Sequence, residues 1–403
     1  MAVNFPQLWR WWVADAVEAW PLFNFRSKGA PISLTWRPFL LASARDILMD
    51  PVIPERIRQL DIVDASEQLA HVLGAFDSSP PSKLSSIRIK MFPYDGSEPG
   101  ERLARFLSSS FPKLAQLDLE NFLPSFPSPI LTTGSLTSLR LFLPYRNEKH
   151  CYTLSQFSQI LRRHPTLQEL DLNRGAIPLP GPSTASVPFV PPQLVNLRLW
   201  GKESTILGFV DYFGMSSPLH DVTICLGKNS KPTISAFKRT VKKILAAYYE
   251  CKGLNYARKV YRLAISYNSE MGHLTFDARS RRLIMPNLKS KLRLRSEGVD
   301  VLVGEEMVKA AVPLFTLREI RRFSIKGFNV RGGECGGIFQ KMKNLLHLQL
   351  CRTAIRPVLN LLAPCDRGSS KMVTATTLIH PHEYRRIGSA DCPQAHVVDL
   401  ISS

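Results

Sequence analysis

Few residues of this chain stand at spacings that perform covalent chemistry. The glycine-rich run RGGECGG (331–337) comes nearest to a phosphate-binding loop, but it lacks the Lys and the Ser or Thr that hold a phosphate and its metal. It reads as a simple connection after a strand. His380, His382, Cys392 and His396 carry ligating atoms, yet their spacing fits no zinc pattern. No G-x-S-x-G elbow, H-E-x-x-H helix or G-x-x-x-x-G-K-[ST] loop occurs. The sequence therefore assigns no catalytic residue, no metal site and no cofactor. A protein that is not an enzyme is expected.

Charge is the chemistry that does have a spacing. The hexamer Leu167-Gln-Glu-Leu-Asp-Leu172 reads L-x-x-L-x-L, and near-copies of it recur. In a strand, the residue between the last two apolar positions points away from the apolar side, because side chains alternate. In the first six copies that residue is Asp61, Arg88, Asp118, Arg140, Asp171 and Arg198, a strict alternation of sign. Neighbouring strands lie about 4.8 Å apart, and opposite-charge pairs across them contribute roughly 0.2–1 kcal/mol each. Two roles fit this row: a self-neutralising ladder that fixes strand order, or a binding row whose charges pass to a partner. The third positions, Gln59, Ser86, Gln116, Ser138, Glu169 and Asn196, are polar and nearly uncharged. The seventh positions are Val63, Lys90, Glu120, Phe142, Asn173 and Trp200. Phe142 and Trp200 are the aromatic anchors a protein partner would use, unless they pack under neighbouring loops.

The elements that position these columns follow from the apolar triads. Ile57/Leu60/Ile62, Leu84/Ile87/Ile89, Leu114/Leu117/Leu119, Leu136/Leu139/Leu141, Leu167/Leu170/Leu172, Leu194/Leu197/Leu199 and Leu219/Val222/Ile224 come first. Ile320/Phe323/Ile325 and Leu345/Leu348/Leu350 follow later. Most start-to-start spacings fall within or just above the roughly 20–29 residues of a leucine-rich repeat. The intervening stretches 65–76, 100–111 and 153–164 carry helical periodicity, with Thr153 or Ser155 as candidate caps. The proline-rich stretch 177–193 cannot be helical. The expected fold is α/β: a leucine-rich-repeat solenoid with a curved parallel sheet on the concave face and helices and loops on the convex face.

Five segments are expected. Residues 1–50 hold five of the six tryptophans (Trp9, Trp11, Trp12, Trp20 and Trp36) and form an aromatic-rich N-terminal cap. Residues 51–227 are the regular repeats. Residues 228–319 read as two degenerate, basic repeats around Val260/Leu263/Ile265 and KSKLRL (289–294), with helices over 234–250 and 304–315. Residues 320–364 carry the terminal repeats, and 365–403 an irregular tail.

The chain has 403 residues and a formal net charge of +19. Residues 228–352 hold 26 Lys/Arg against 9 Asp/Glu, a net of +17, whereas residues 1–227 hold 21 against 20. The basic patch is centred on Arg281, Arg282, Lys291, Arg293, Arg295, Arg321 and Arg322. Such a cluster binds nucleic acid or an acidic protein surface, or is simply solvated. The seven cysteines are scattered and no two form C-x-x-C, which fits a reducing compartment, cytoplasmic or nuclear. The N-terminus lacks a basic region followed by an apolar one, so no signal peptide is expected. No stretch approaches ~18 consecutive apolar residues, so no membrane span is expected.

PQLW (6–9), RSKGAPISL (26–34), PERIRQLDI (54–62) and PPQLVNLRLWG (191–201) give the chain a family likeness. Over roughly residues 5–362 it resembles fungal F-box leucine-rich-repeat proteins. In that family the P-x-L-W segment follows the F-box, which docks on the adaptor of an SCF-type ubiquitin ligase, and the repeats hold the substrate. The present chain starts at the post-F-box segment. The resemblance thus implies a substrate-recognition platform with a protein partner on the concave face, without the element that recruits the adaptor. A nucleic-acid or acidic-surface binder, or a truncated non-functional relative, are the alternatives.

Overall fold

A computed structural model describes residues 11–13, 20–27, 29–36, 52–63, 73, 76, 81–91, 101–132, 135–143, 151–181, 188–214, 219–227, 233–249, 258–268, 270–282, 289–315, 317–327, 338, 341–351 and 395–399. The chain divides into two units, Met1–Leu199 and Trp200–Ser403. Among the described residues no helix is long and apolar enough to cross a membrane.

The first unit is α/β with a parallel sheet. Its elements are β1 (Trp11–Val13), α1 (Trp20–Ser27), β2 (Ile32–Trp36), α2 (Val52–Arg56), β3 (Ile57–Val63) and β4 (Ser86–Lys90). There follow α3 (Glu101–Leu107), β5 (Gln116–Glu120), α4 (Pro129–Thr132), β6 (Ser138–Leu143), α5 (Leu154–Arg163), β7 (Glu169–Arg174) and β8 (Asn196–Gly201), within which the boundary falls. From β1 to β7 each strand pairs in parallel with the next in sequence. The six triads of this unit are buried, at most 3% exposed, so the apolar side of every strand feeds one core.

Register is locked just upstream of each strand. The amide of the second hexamer residue donates to the carbonyl of its counterpart one hexamer earlier: Ser85 to Arg58, Ala115 to Ser85, Thr137 to Ala115, Gln168 to Thr137 and Val195 to Gln168, at 2.7–2.9 Å. A turn closes ahead of the triad, where Leu84, Leu114, Leu167 and Leu194 donate to the carbonyls of Pro81, Phe111, His164 and Pro191 at 3.0–3.1 Å. Those four turn residues are all buried. A Pro or large apolar group three residues before the triad therefore belongs to the repeating unit, and P-x-x-L was its legible signal.

His164 fills that turn position with a polar ring. It is fully buried; Nδ1 accepts the Leu136 amide at 3.3 Å, and Nε2 lies 2.8 Å from the Leu131 carbonyl. An accepting Nδ1 places the proton on Nε2, which donates to Leu131. Burial lowers the imidazole pKa, and the Leu131 bond offsets this only in part. Ahead of it, α5 starts at a Thr153 capping box with Gln156, which fixes Thr153 as the cap.

The second unit is also α/β, but its sheet is mixed. It contains α6 (Glu203–Phe213), β9 (Asp221–Leu226), α7 (Ile234–Tyr249), β10 (Arg258–Asn268), β11 (His273–Arg282), β12 (Lys289–Ser296), α8 (Val301–Ala311), β13 (Arg322–Lys326), β14 (His347–Cys351) and β15 (Ala395–Asp399). The strand order is β9-β12-β11-β10-β13-β14-β15. β12 is parallel to β9, and β10 to β13, while β11 runs antiparallel to both its neighbours. Where two degenerate repeats are expected, the chain instead inserts a meander: β10 is separated from β9 by two strands, β11 and β12, which fold back to fill the gap. The physical cue is HLTFDARSRR, whose strict alternation buries Leu274, Phe276 and Ala278. Beyond the meander the register device returns, Arg321 donating to Tyr261 and Leu346 to Arg321. After β13, Gly327 has φ +83 and a Cβ there would meet the Tyr267 carbonyl oxygen, so only glycine fits.

Several expectations lie outside the described residues: the tryptophan side chains of the N-terminal cap, most of the 65–76 helix, RGGECGG and 355–364. Most of the tail does too, but β15 falls within it and pairs antiparallel with β14, so the tail is not wholly irregular.

Replacing His164 by Ala leaves a buried amide and carbonyl unpaired, an expected loss of about 1–3 kcal/mol in urea unfolding at neutral pH. The pH dependence has a definite sign. A lowered folded pKa makes the His164 contribution complete above the unfolded value of 6.5 and progressively lost below it, down to the folded pKa. Unfolding midpoints measured across that window should slope less in His164→Gln than in the parent.

Candidate functional site

The outward side of the first unit's sheet is built from three rows in register. Thr35, Asp61, Arg88, Asp118, Arg140 and Asp171 lie directly opposite one another on β2 to β7. Gln59, Ser86, Gln116, Ser138 and Glu169 form the row on one side, and Val63, Lys90, Glu120, Phe142 and Asn173 the row on the other. Apolar triads buried below leave these residues no other direction.

The ion pairs only partly follow the expected ladder. Arg88 Nε is 3.5 Å from Asp118 Oδ2, and Arg198 Nη1 is 4.0 Å from Asp171 Oδ2. Arg140 turns instead to Glu169 Oε2 at 3.6 Å. Glu169 also accepts from Ser138 Oγ and Asn196 Nδ2, each at 3.2 Å. It therefore joins three strands, a role its place in the weakly charged third column did not reveal. In the seventh column Lys90 meets Glu120 at 2.8 Å. Phe142 is half-buried with the Arg174 guanidinium 5.3 Å from its ring centre, a cation–π contact. Trp200, half-buried, belongs to the second unit.

Depth separates the two signs. Arg88 and Arg198 side chains are 54% and 55% exposed, while their partners Asp118 and Asp171 are 30% and 28%. Burial is the largest influence on both carboxyls and raises their pKa; Arg88 and Arg140 pull Asp118 down, and Arg198 and Arg140 pull Asp171 down, without overcoming it. Asp61 Oδ1 is buried without a hydrogen-bond partner among the described residues. The row thus presents guanidinium groups to solvent above sunken carboxylates. It can take a carboxylate or a backbone carbonyl from a partner while its acids hold the arginines in place.

In the second unit the outward side of β9, β12, β11, β10, β13 and β14 carries the basic patch. Lys291, Arg293 and Arg295 share one face of β12, and Arg322 sits on the same face of β13. Arg321 precedes that strand and is exposed. Arg281 and Arg282 end β11, with side chains outside the described residues. Asp277 receives Arg293 Nη2 at 3.2 Å and Lys291 Nζ at 3.6 Å. Arg262 and Arg279, not named from the sequence, stand on the same face; their placement follows only once β11 is known to run antiparallel.

One cluster here resembles nucleophilic machinery in composition. Cys225 Sγ is 3.6 Å from Glu297 Oε1, His273 Nε2 is 3.7 Å from the same oxygen, and Arg295 reaches both His273 and Glu297. The thiol donates to the carboxylate rather than to the imidazole. Burial first, then the Glu297 charge, pushes Cys225 up to about 12, and burial and Arg295 lower His273. A thiol held protonated at neutral pH and donating to a carboxylate has the arrangement of a structural hydrogen-bond donor rather than of an activated nucleophile.

Asp171→Arg sets three like charges side by side with Arg140 and Arg198. It is expected to destabilise the protein by about 1 kcal/mol or more in chemical denaturation. Asp171→Asn keeps the shape and removes a poorly solvated charge, so its midpoint should move much less. Equal shifts would mean that the alternation of sign has no part in the fold. Set against known proteins, the chain matches no protein-family model and no curated protein sequence.

Proposed function

We propose that the chain is a non-enzymatic protein-interaction scaffold of the leucine-rich-repeat type. The observation that carries this is the register of the first unit: consecutive parallel strands, four of the six triads preceded by the same turn, β3 to β7 each showing one charged residue outward in a single row. A sheet face of this kind offers a wide, stiff, regularly spaced array of side chains, which suits recognition of a protein surface. Asp118, Arg140, Phe142, Asp171 and Arg198 are the proposed contact residues of the first unit, and Trp200 that of the second. The likeness to fungal F-box leucine-rich-repeat proteins extends the proposal to substrate recognition for an SCF-type ubiquitin ligase, in the cytoplasm or nucleus.

Affinity purification of the full chain beside an Arg140→Glu, Phe142→Ala variant tests this. Partners retained by the parent should be lost from the variant while its circular dichroism is unchanged. Recovery of the ligase adaptor among them would support the receptor role; a partner without adaptor or cullin leaves the scaffold role alone. An identical set of captured proteins from parent and variant would contradict the proposed face.

A further inference from the structure

We propose that the outward sheet face of the second unit binds an acidic protein segment, a run containing several Asp or Glu residues. The motivation is a row that breaks the charge rule of the first unit. Lys291 of β12 lies opposite Arg279 of β11, Arg279 opposite Arg262 of β10, and Arg262 opposite Arg322 of β13. Four cations thus occupy four adjacent strands with no acid between them. Asp221 and His347 stand at the two ends. In the next row the backbone register sets Lys289, Arg281 and Lys259 opposite one another on the same three strands.

Like charges directly opposite on neighbouring strands destabilise a sheet. The first unit avoids this by alternation; the second does not. Among the described residues no ion pair engages Arg262, Arg279 or Arg322, and the latter two are exposed. Asp277 is committed to Lys291 and Arg293, and Glu297 to Arg295 and His273, while Asp221 stands only at the end of the row, beside Lys291. The arginines of the row, Arg262, Arg279 and Arg322, are therefore uncompensated among the described residues and suit an added anion.

Carboxylates on a peptide suit this row better than a nucleic acid. At about 4.8 Å per strand the four cations span roughly 14 Å. An extended peptide laid across the strands shows side chains on one face every ~6.6 Å, so three of its carboxylates cover that length. The guanidinium fork pairs with a carboxylate through two parallel bonds. The row flanking it on this face is Thr223, Arg293, Asp277, Ala264, Ser324 and Gln349. Apart from the imidazole of His347 at the end of the cationic row, these two rows carry no ring for a base to stack on, which single-stranded nucleic acid uses along its length. A broad sheet face does not enter a duplex groove as a helix or ribbon does.

Fluorescence anisotropy of a labelled peptide of alternating Asp and Gly, titrated with the full chain, tests the assignment. Arg279→Gln, Arg322→Gln should weaken binding by about tenfold or more, and so should Arg322→Gln alone in the same direction if the double variant fails to fold. Lys113→Gln, Arg163→Gln, exposed on a turn and a helix of the first unit, should leave it within about twofold. Thermal unfolding gives a second readout: relieving the row should hold or raise the midpoint of Arg279→Gln. Absence of peptide binding by the parent would overturn the proposal, as would equal affinity for parent and Arg322→Gln, or tighter binding of a single-stranded oligonucleotide of equal charge.

Discussion

Backbone hydrogen bonding just upstream of the strands governs everything else in the first unit. Arg58, Ser85, Ala115, Thr137, Gln168 and Val195 are joined carbonyl to amide in one continuous line. A slip of one residue anywhere along it would turn a buried triad to solvent and an outward charge into the core. Because the burial of Leu117/Leu119 or Leu170/Leu172 depends on that line, register and core are one constraint. The turn residues at Pro81, Phe111, His164 and Pro191 seal it from the upstream side, each accepting the first amide of its triad. His164 carries out this task with a polar ring, and so ties the turn to the protonation state of one imidazole.

Once register is fixed, the outward rows are fixed with it, and their charges separate the two units. The first alternates sign and holds its carboxylates deeper than its guanidiniums. Burial outweighs the arginines' attraction at Asp118 and Asp171, so the alternation does more to set order and orientation than to add stability. The second unit interrupts the parallel pattern with β10, β11 and β12 and gathers Lys291, Arg279, Arg262 and Arg322 side by side. Part of the net +17 over residues 228–352 is thereby gathered into one ordered row.

Much of this was legible from leucine spacing alone. The triads, the outward row from Asp61 to Asp171 and the helices at 154–163 and 234–249 all follow from periodicity, because burial of one strand side leaves only one arrangement. Other features were not. Arg140 prefers Glu169, since two oxygens already held by Ser138 and Asn196 make a better-placed acceptor than the residue directly opposite. β11 has the alternation of a strand but lies in the connection between two expected degenerate repeats, and antiparallel pairing leaves no mark in a single strand's sequence. The Arg279–Arg262 juxtaposition depends on that pairing, so it could not be read from the chain. The turn position three residues before Leu84, Leu114, Leu167 and Leu194 was not read, because its occupants, Pro, Phe and His, share only size and burial.

The most direct test of the register line is native-state amide hydrogen exchange at Ser85, Ala115, Thr137, Gln168 and Val195. These amides should be protected together and exchange only when the whole unit unfolds, with one common opening free energy that tracks the global value under denaturant. Fast, independent exchange at these positions, with protection confined to the helices, would contradict the account.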